Sequence, residues 1–470
     1  MSPGNTASVV YVPSQPSGYR SAMAAIVTAS DSEAQQRRAA GALTKAGLVP
    51  GDRVALLVTP SAGLLAAVLG SLRTGVIPVV LDAGLPAAER AELLGDCRPA
   101  LVVDDAAGLD RLLAEPEAEL APVPLGRPMH YTSGTTGRRK GVWSGVLDSD
   151  AARALLDEEI ALWGFRADDR HLVFSPLYHS APLRFAMCTL LCGGTVILPG
   201  RFEPTAILDV IARHRPTTAF CVPTQLRRIF AAADAGGGLP PLDDFRLLAH
   251  AGEPCPYPLK RRVVDAFPPG SVYEFYGSTE GQFTTCSAAE WSARPASVGR
   301  GRPGRALRVD SDGVIWCRVP PHARFSYWGD PAKTTAAWRG DEFTVGDVGR
   351  LDSDGYLYLD GRRDDLVITG GVNVYPREVE LVLAEYPGVD EVAVFGVDDE
   401  RWGQRLCAAV VGSVAVEDLG GYARERLAPA RRPKDYYLVA DLPRTSTGKI
   451  RRLDLPGFLG LGSPAKRPSS

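Results

Sequence analysis

Short apolar runs alternate with segments of helical period, and that alternation leaves few architectures open to the chain. Val54 to Val58 (Val-Ala-Leu-Leu-Val) has the length and apolar content of a buried strand, and Gly63 to Arg73 repeats apolar residues at helical spacing. Val76 to Leu81 then reads as a strand, Pro86 to Leu94 as a helix and Ala100 to Val103 as a strand. The rhythm returns with a helix from Asp150 to Leu162, Asp150 as its N-cap, a strand from His171 to Ser175, a helix from Thr205 to His214 and a strand from Thr217 to Val222. Strands that are apolar throughout and separated by helices predict a parallel sheet covered on both faces.

From about residue 295 the texture turns β-like through Tyr327-Trp328, with Gly, Pro and short alternating runs. A last region alternates again: helix from Pro376 to Glu385, strands from Glu391 to Val397 and Ala408 to Val411, helix from Val416 to Leu427. At 470 residues the chain is too long for one ordinary domain and long enough for two or three. A net charge of −3 gives no global field for nucleic acid or an anionic membrane. The eight cysteines include no CxxC pair; Cys188 and Cys192 come nearest but lack partners for a metal site, so buried free thiols are expected. No basic-then-apolar leader and no apolar run of membrane-spanning length stands in the sequence, which predicts a soluble, cytoplasmic protein.

One segment fits neither period. Tyr131-Thr132-Ser133-Gly134-Thr135-Thr136-Gly137-Arg138-Arg139-Lys140-Gly141 packs glycines, hydroxyls and three cations together. Glycines let a backbone approach a ligand, and exposed N–H groups, hydroxyls and cations then meet anionic oxygens. It is not a Walker loop, which needs Gly-Lys-Ser/Thr after four residues, and a surface turn shares its composition. The order Thr-Ser-Gly-Thr-Thr-Gly-x-x-Lys-Gly resembles the phosphate loop of the AMP-forming adenylating superfamily of acyl-CoA synthetases, peptide-synthetase adenylation domains and luciferases, with motifs nearest those of acyl- or aryl-CoA ligases.

Further segments follow in that family's order. Pro176-Leu177-Tyr178-His179-Ser180-Ala181-Pro182 resembles the segment bordering the acid pocket, which makes His179 a site residue. Ala251-Gly252-Glu253-Pro254 resembles the adenine-contacting turn, with Gly252 leaving room for the base beside Glu253. In Tyr276-Gly277-Ser278-Thr279-Glu280 the resemblance gives Tyr276 to adenine, Thr279 to the α-phosphate and Glu280 to Mg²⁺. Asp347, in Gly346-Asp347-Val348-Gly349, would bind the ribose hydroxyls, Arg362 would reach the ribose, and Asp364 would be the hinge. Gly370-Gly371 would let pantetheine pass, and Lys449 of Pro443-Arg444-Thr445-Ser446-Thr447-Gly448-Lys449 would catalyse adenylation. By their residues alone these are ordinary turns, caps and surface charges; their joint order carries the resemblance.

The resemblance implies an α/β fold with a large N-terminal domain of parallel and mixed sheets plus a β-rich subdomain (residues 1–363), a small mobile α+β C-terminal domain (364–462) and a disordered tail (463–470). It implies ATP and Mg²⁺ as cofactors and CoA as co-substrate. Thr132, Ser133, Gly134, Thr135, Thr136, Gly137 and Lys140 would hold the leaving pyrophosphate while a carboxylate attacks the α-phosphorus. Arg184, five residues past His179, favours a small or aromatic acid with a second polar group, because an unpaired guanidinium is costly along an acyl tunnel. The phosphate loop starts early, as in relatives of secondary metabolism and antibiotic biosynthesis. Two alternatives stand beside the ligase: a diazotase of the family that activates nitrite for attack by an aryl amine, and a catalytically silent nucleotide-binding protein.

Overall fold

The computed structural model describes residues 24–132, 139–444 and 450–461. Among them, an eight-stranded sheet forms the largest layer, in the order Ala25–Thr28, Thr195–Leu198, Arg170–Val173, Thr218–Cys221, Leu247–His250, Val272–Glu274, Thr284–Ser287, Arg300–Gly301. Its five inner strands, from Thr195–Leu198 to Val272–Glu274, are parallel, and antiparallel strands close both edges. The inner strands are almost wholly buried, which is why they read as apolar runs.

A second, parallel sheet of Ile77–Val80, Arg53–Leu56 and Leu101–Val103 lies across the helix Ala62–Leu72. That helix is buried from Leu64 to Leu72 and belongs to the core shared with Val173, Val196 and Leu198 of the main sheet. Ser61 caps it, its hydroxyl accepting from Leu64 N at 3.1 Å. The helix Ala29–Lys45 packs closely on it at Gly70, where a Cβ would come within 2.6 Å of the Gln36 carbonyl.

Three differences from the expected elements have local causes. The helix Ser149–Trp163 is capped by Asp148, not Asp150: Asp148 has the extended backbone, and its carboxylate accepts from Ala151 N at 2.8 Å, while Asp150 sits in the first turn. Residues 180–182, given no helix in the sequence, begin the helix Ser180–Leu191, with Pro182 in the first turn where its missing N–H costs nothing. The glycine- and hydroxyl-rich segment is flanked by an antiparallel pair, His130–Thr132 and Lys140–Trp143, in register His130↔Val142, Tyr131↔Gly141, Thr132↔Lys140.

The β-like region folds into a four-stranded antiparallel sheet and the hairpin Asp347–Leu351/Leu357–Arg362. A 3₁₀ turn at Arg363–Asp365, containing Asp364, then leads into Val367–Thr369, the first strand of a five-stranded C-terminal sheet. Its centre is the long antiparallel pair Val389–Asp399 and Gly403–Gly412, covered by the helices Pro376–Leu383 and Val416–Arg426. All eight cysteines are unpaired, six of them buried. No helix among the described residues is long and apolar enough to cross a membrane.

Candidate active site

The hairpin holds Thr132 and Lys140 opposite one another across the ends of the loop. Residues 133–138, and with them Ser133, Gly134, Thr135, Thr136 and Gly137, lie outside the described residues. Three contacts anchor the stem. Tyr131 donates its hydroxyl to Asp96 Oδ2 at 2.6 Å, the strand Ser326–Tyr327 pairs with Val142 and Trp143, and His130 Nδ1 meets the Tyr178 carbonyl at 3.1 Å. Burial pushes His130 down to about 4, so its imidazole is neutral. Through Tyr178 the stem is joined to His179, which immediately precedes the helix Ser180–Leu191 and lies 4.6 Å from the Tyr178 ring centroid to centroid.

Beside the stem, Ser278 N donates to the Gly281 carbonyl at 2.8 Å and Gly277 bridges Gln282, so Thr279 and Glu280 form the tip of a tight reversal. Glu280 is buried, and its Oε1 accepts the Tyr327 hydroxyl at 2.7 Å. Arg127 donates to the Glu280 carbonyl at 3.2 Å. A carboxylate with one neutral donor, next to a phosphate loop, suits Mg²⁺, which is held by one or two carboxylates and substrate phosphates rather than a protein cage. No cluster of three or more His, Cys, Asp or Glu among the described residues is arranged to hold a metal alone.

At the other end of the same segment, Tyr276 is buried with one ring face on Phe283 (4.7 Å, 29°). Its hydroxyl donates to Asp347 Oδ2 at 2.6 Å, and Asp347 Oδ1 accepts from Arg362 Nε at 3.1 Å. Asp347 and Arg362 face each other in the 347–351/357–362 hairpin, so strand pairing sets their contact. Burial first, then Asp347, pushes the Tyr276 phenol well above its usual range, so it stays a donor. Gly252 follows the adjacent parallel strand and has φ +94°, which a residue with a Cβ adopts with strain. The Glu253 carboxylate accepts from Thr224 N, at the start of the helix Pro223–Gly236.

The structure thus brings Thr132, Lys140, Thr279 and Glu280 to one end of the 276–280 segment and Tyr276, Asp347 and Arg362 to the other, with Gly252 and Glu253 past the end of the neighbouring strand. Lys449 lies outside the described residues; Arg444 and Ile450 pair on either side of its segment. Arg444 and Arg227 both bind Glu391, and this carboxylate joins the C-terminal sheet to the helix Pro223–Gly236.

Arg184 corrects an expectation. Its guanidinium is paired, with Nη2 donating to Gln282 Oε1 at 3.0 Å and Nε 3.4 Å from Glu159 Oε2. Its charge is matched within the protein and calls for no second polar group on the substrate. Glu159 also accepts from Arg302 at 2.6 Å. Burial raises this carboxyl's pKa, but Arg184 and Arg302 outweigh it and hold the group below the usual carboxylate range.

Tyr327, Arg127 and Lys333 were not singled out in the sequence. Asp330-Pro331 is a helix-start signature, an N-cap followed by Pro at the first helical position, and it would have placed Lys333 on a helix.

The AMP-binding enzyme family model matches residues 9–124 and 128–317, and the model of the AMP-binding enzyme C-terminal domain matches 378–449. A feruloyl-CoA synthase of an Amycolatopsis species is 34% identical over 454 residues, covering 88% of this chain and 90% of the relative. A 2-succinylbenzoate–CoA ligase of Bacillus licheniformis is 31% identical over 456 residues, 89% of this chain and 92% of the relative. The structure of o-succinylbenzoate CoA synthetase from Bacillus subtilis in complex with its acyl-adenylate intermediate superposes with a TM-score of 0.81, at 28% identity and 94% coverage of both chains. That synthetase has also been solved with ATP and a magnesium ion (TM-score 0.79, 28% identity, 91% of this chain and 94% of that one). The chain belongs to the family of AMP-binding enzymes and, within the AMP-forming adenylating superfamily, is an AMP-forming ligase of the acyl- or aryl-CoA synthetase type.

Proposed function

We propose that the chain adenylates an aromatic carboxylic acid with ATP and passes the acyl group to CoA, in secondary metabolism. The observation that carries the reading is the Tyr276–Asp347–Arg362 chain of hydrogen bonds at one end of the segment whose other end sets Glu280 beside the phosphate-loop stem. Tyr276 and Gly252 receive the adenine, and Asp347 and Arg362 the ribose. Thr132 to Lys140 hold the β- and γ-phosphates, and Thr279 meets the α-phosphate. Glu280 is the protein's ligand for Mg²⁺, which neutralises phosphate charge when bound. His179 borders the acid.

Catalysis then needs alignment and charge more than covalent help: the acid's carboxylate oxygen attacks the α-phosphorus, pyrophosphate leaves, and Lys449 meets the charge that grows there. The domain boundary at Asp364 lets the C-terminal domain carry Lys449 in, then present Gly370-Gly371 to pantetheine. An aromatic acid is supported by the feruloyl-CoA synthase and 2-succinylbenzoate–CoA ligase among the relatives.

The test is AMP and acyl-CoA quantified together over a panel of hydroxycinnamic, benzoic and short aliphatic acids. Equal, acid-dependent formation of both products from an aromatic acid is expected. AMP released only with nitrite and an aryl amine, or no AMP with any anion, would overturn the reading.

A further inference from the structure

The strand Ser326–Tyr327, which pairs with the phosphate-loop stem, leads directly into the helix Pro331–Ala337. Asp330 caps that helix by accepting from Lys333 N at 2.9 Å, and Pro331 takes its first position, so Lys333 is fixed at the third. The side chain runs back over the sheet. Its ammonium lies 4.7 Å from the centroid of the Tyr327 ring, whose hydroxyl binds Glu280 at 2.7 Å. There it lies close to the ammonium of Lys140, the first residue of the strand Lys140–Trp143.

Two ammonium groups close together repel unless an anion joins them. The groups facing the pair are Glu280 from the 278–281 reversal, Asp330 from the cap, and the neutral Tyr327. Asp330 is engaged at the helix N-terminus, and Glu280 is the carboxylate assigned above to Mg²⁺. Burial and then Lys140 push Lys333 down to about 8, the behaviour of a cation short of counter-charge.

We infer that Lys333 is a second cation for the terminal phosphates of ATP, acting together with Lys140 on the pyrophosphate group. The inference rests on the assignment of Thr132 to Lys140 to those phosphates. Binding of the polyphosphate supplies the missing negative charge, so Lys333 holds its proton in the complex.

Calorimetric titration of the full chain with ATP, in EDTA at pH 8 and in buffers of different ionisation enthalpy, tests it. AMP serves as the ligand without terminal phosphates. ATP binding by the unmodified protein is expected to take up a fraction of a proton, because Lys333 is held below its usual range by burial and Lys140 and is only partly charged at that pH, and AMP binding to take up none. Lys333→Gln should weaken ATP about 10-fold with AMP affinity unchanged, and Lys333→Arg should keep ATP affinity within about 3-fold while abolishing proton uptake, since arginine does not deprotonate. Unweakened ATP binding by Lys333→Gln, equal weakening of AMP and ATP, or undiminished proton uptake by Lys333→Arg would overturn it. A wrong assignment of the overall reaction shows instead as no acid-dependent AMP from the unmodified protein, a result this titration does not depend on.

Discussion

Tyr276 donates its hydroxyl to Asp347 at 2.6 Å, across a sequence separation of 71, and so joins the end of the main sheet to the hairpin that leads into the C-terminal domain. Asp347 is thereby held between a phenol and the Arg362 guanidinium, its two oxygens aligned before any ligand arrives.

Tyr276→Phe removes one donor from a buried carboxylate and leaves the ring in place. A hydrogen bond to a charged group contributes about 1.5–3 kcal/mol, so unfolding by urea should show a loss of that order. The KM for ATP in pyrophosphate exchange should rise by about 10-fold as Asp347 loses its orientation, with a smaller change in kcat. A variant of unchanged stability and unchanged KM would remove Asp347 from the nucleotide site.

The Glu159 carboxylate is the counter-charge for Arg184 and for Arg302, which is 3% exposed. Glu159→Gln leaves both guanidiniums short of charge in a buried place, and breaking such a pair from one side costs about 3–5 kcal/mol. Urea unfolding compared with Glu117→Gln, a half-exposed surface carboxylate, measures it. A loss below about 1 kcal/mol would mean that Glu158, also near Arg302, carries the network instead.

His130 and His171 are buried, and burial pushes them to about 4 and about 3. Both are neutral in the folded chain, whereas the unfolded chain protonates them near pH 6.5. Below that pH the unfolded state binds more protons, so the stability is complete above about 6.5 and falls as the pH drops, by about 1.4 kcal/mol per pH unit for each histidine. Unfolding free energies between pH 7.5 and 5 should show this slope, reduced by one proton in His171→Gln. An identical slope in that variant would assign the acid sensitivity to other groups.

The parallel strands that the sequence showed were legible because burial on both faces makes them largely apolar, as at Ile77–Val80 and Thr218–Cys221. Their ends were less so, because a cap depends on backbone angles: Asp148 and Asp150 are the same residue type two positions apart, and Asp148 has the cap geometry. Pro182 hid the helix Ser180–Leu191, since a proline reads as a breaker until its place in the first turn is known. Glu280 was legible as a motif, but its partner Tyr327 stands 47 residues away in a strand of two residues, too short to show a period. The pairing of Arg184 with Glu159 was hidden for the same reason, as two charges on separate helices carry no sequence signal of contact.

Acid-dependent ATP–pyrophosphate exchange without CoA, measured on the unmodified chain and on Lys449→Ala, tests the central claim most directly. The account predicts exchange that requires an aromatic acid and falls by at least about 100-fold in Lys449→Ala, with ATP affinity within a few-fold, because that lysine acts on the transition state and not on the bound nucleotide. Exchange that persists undiminished in Lys449→Ala, or that never responds to an acid, would contradict it.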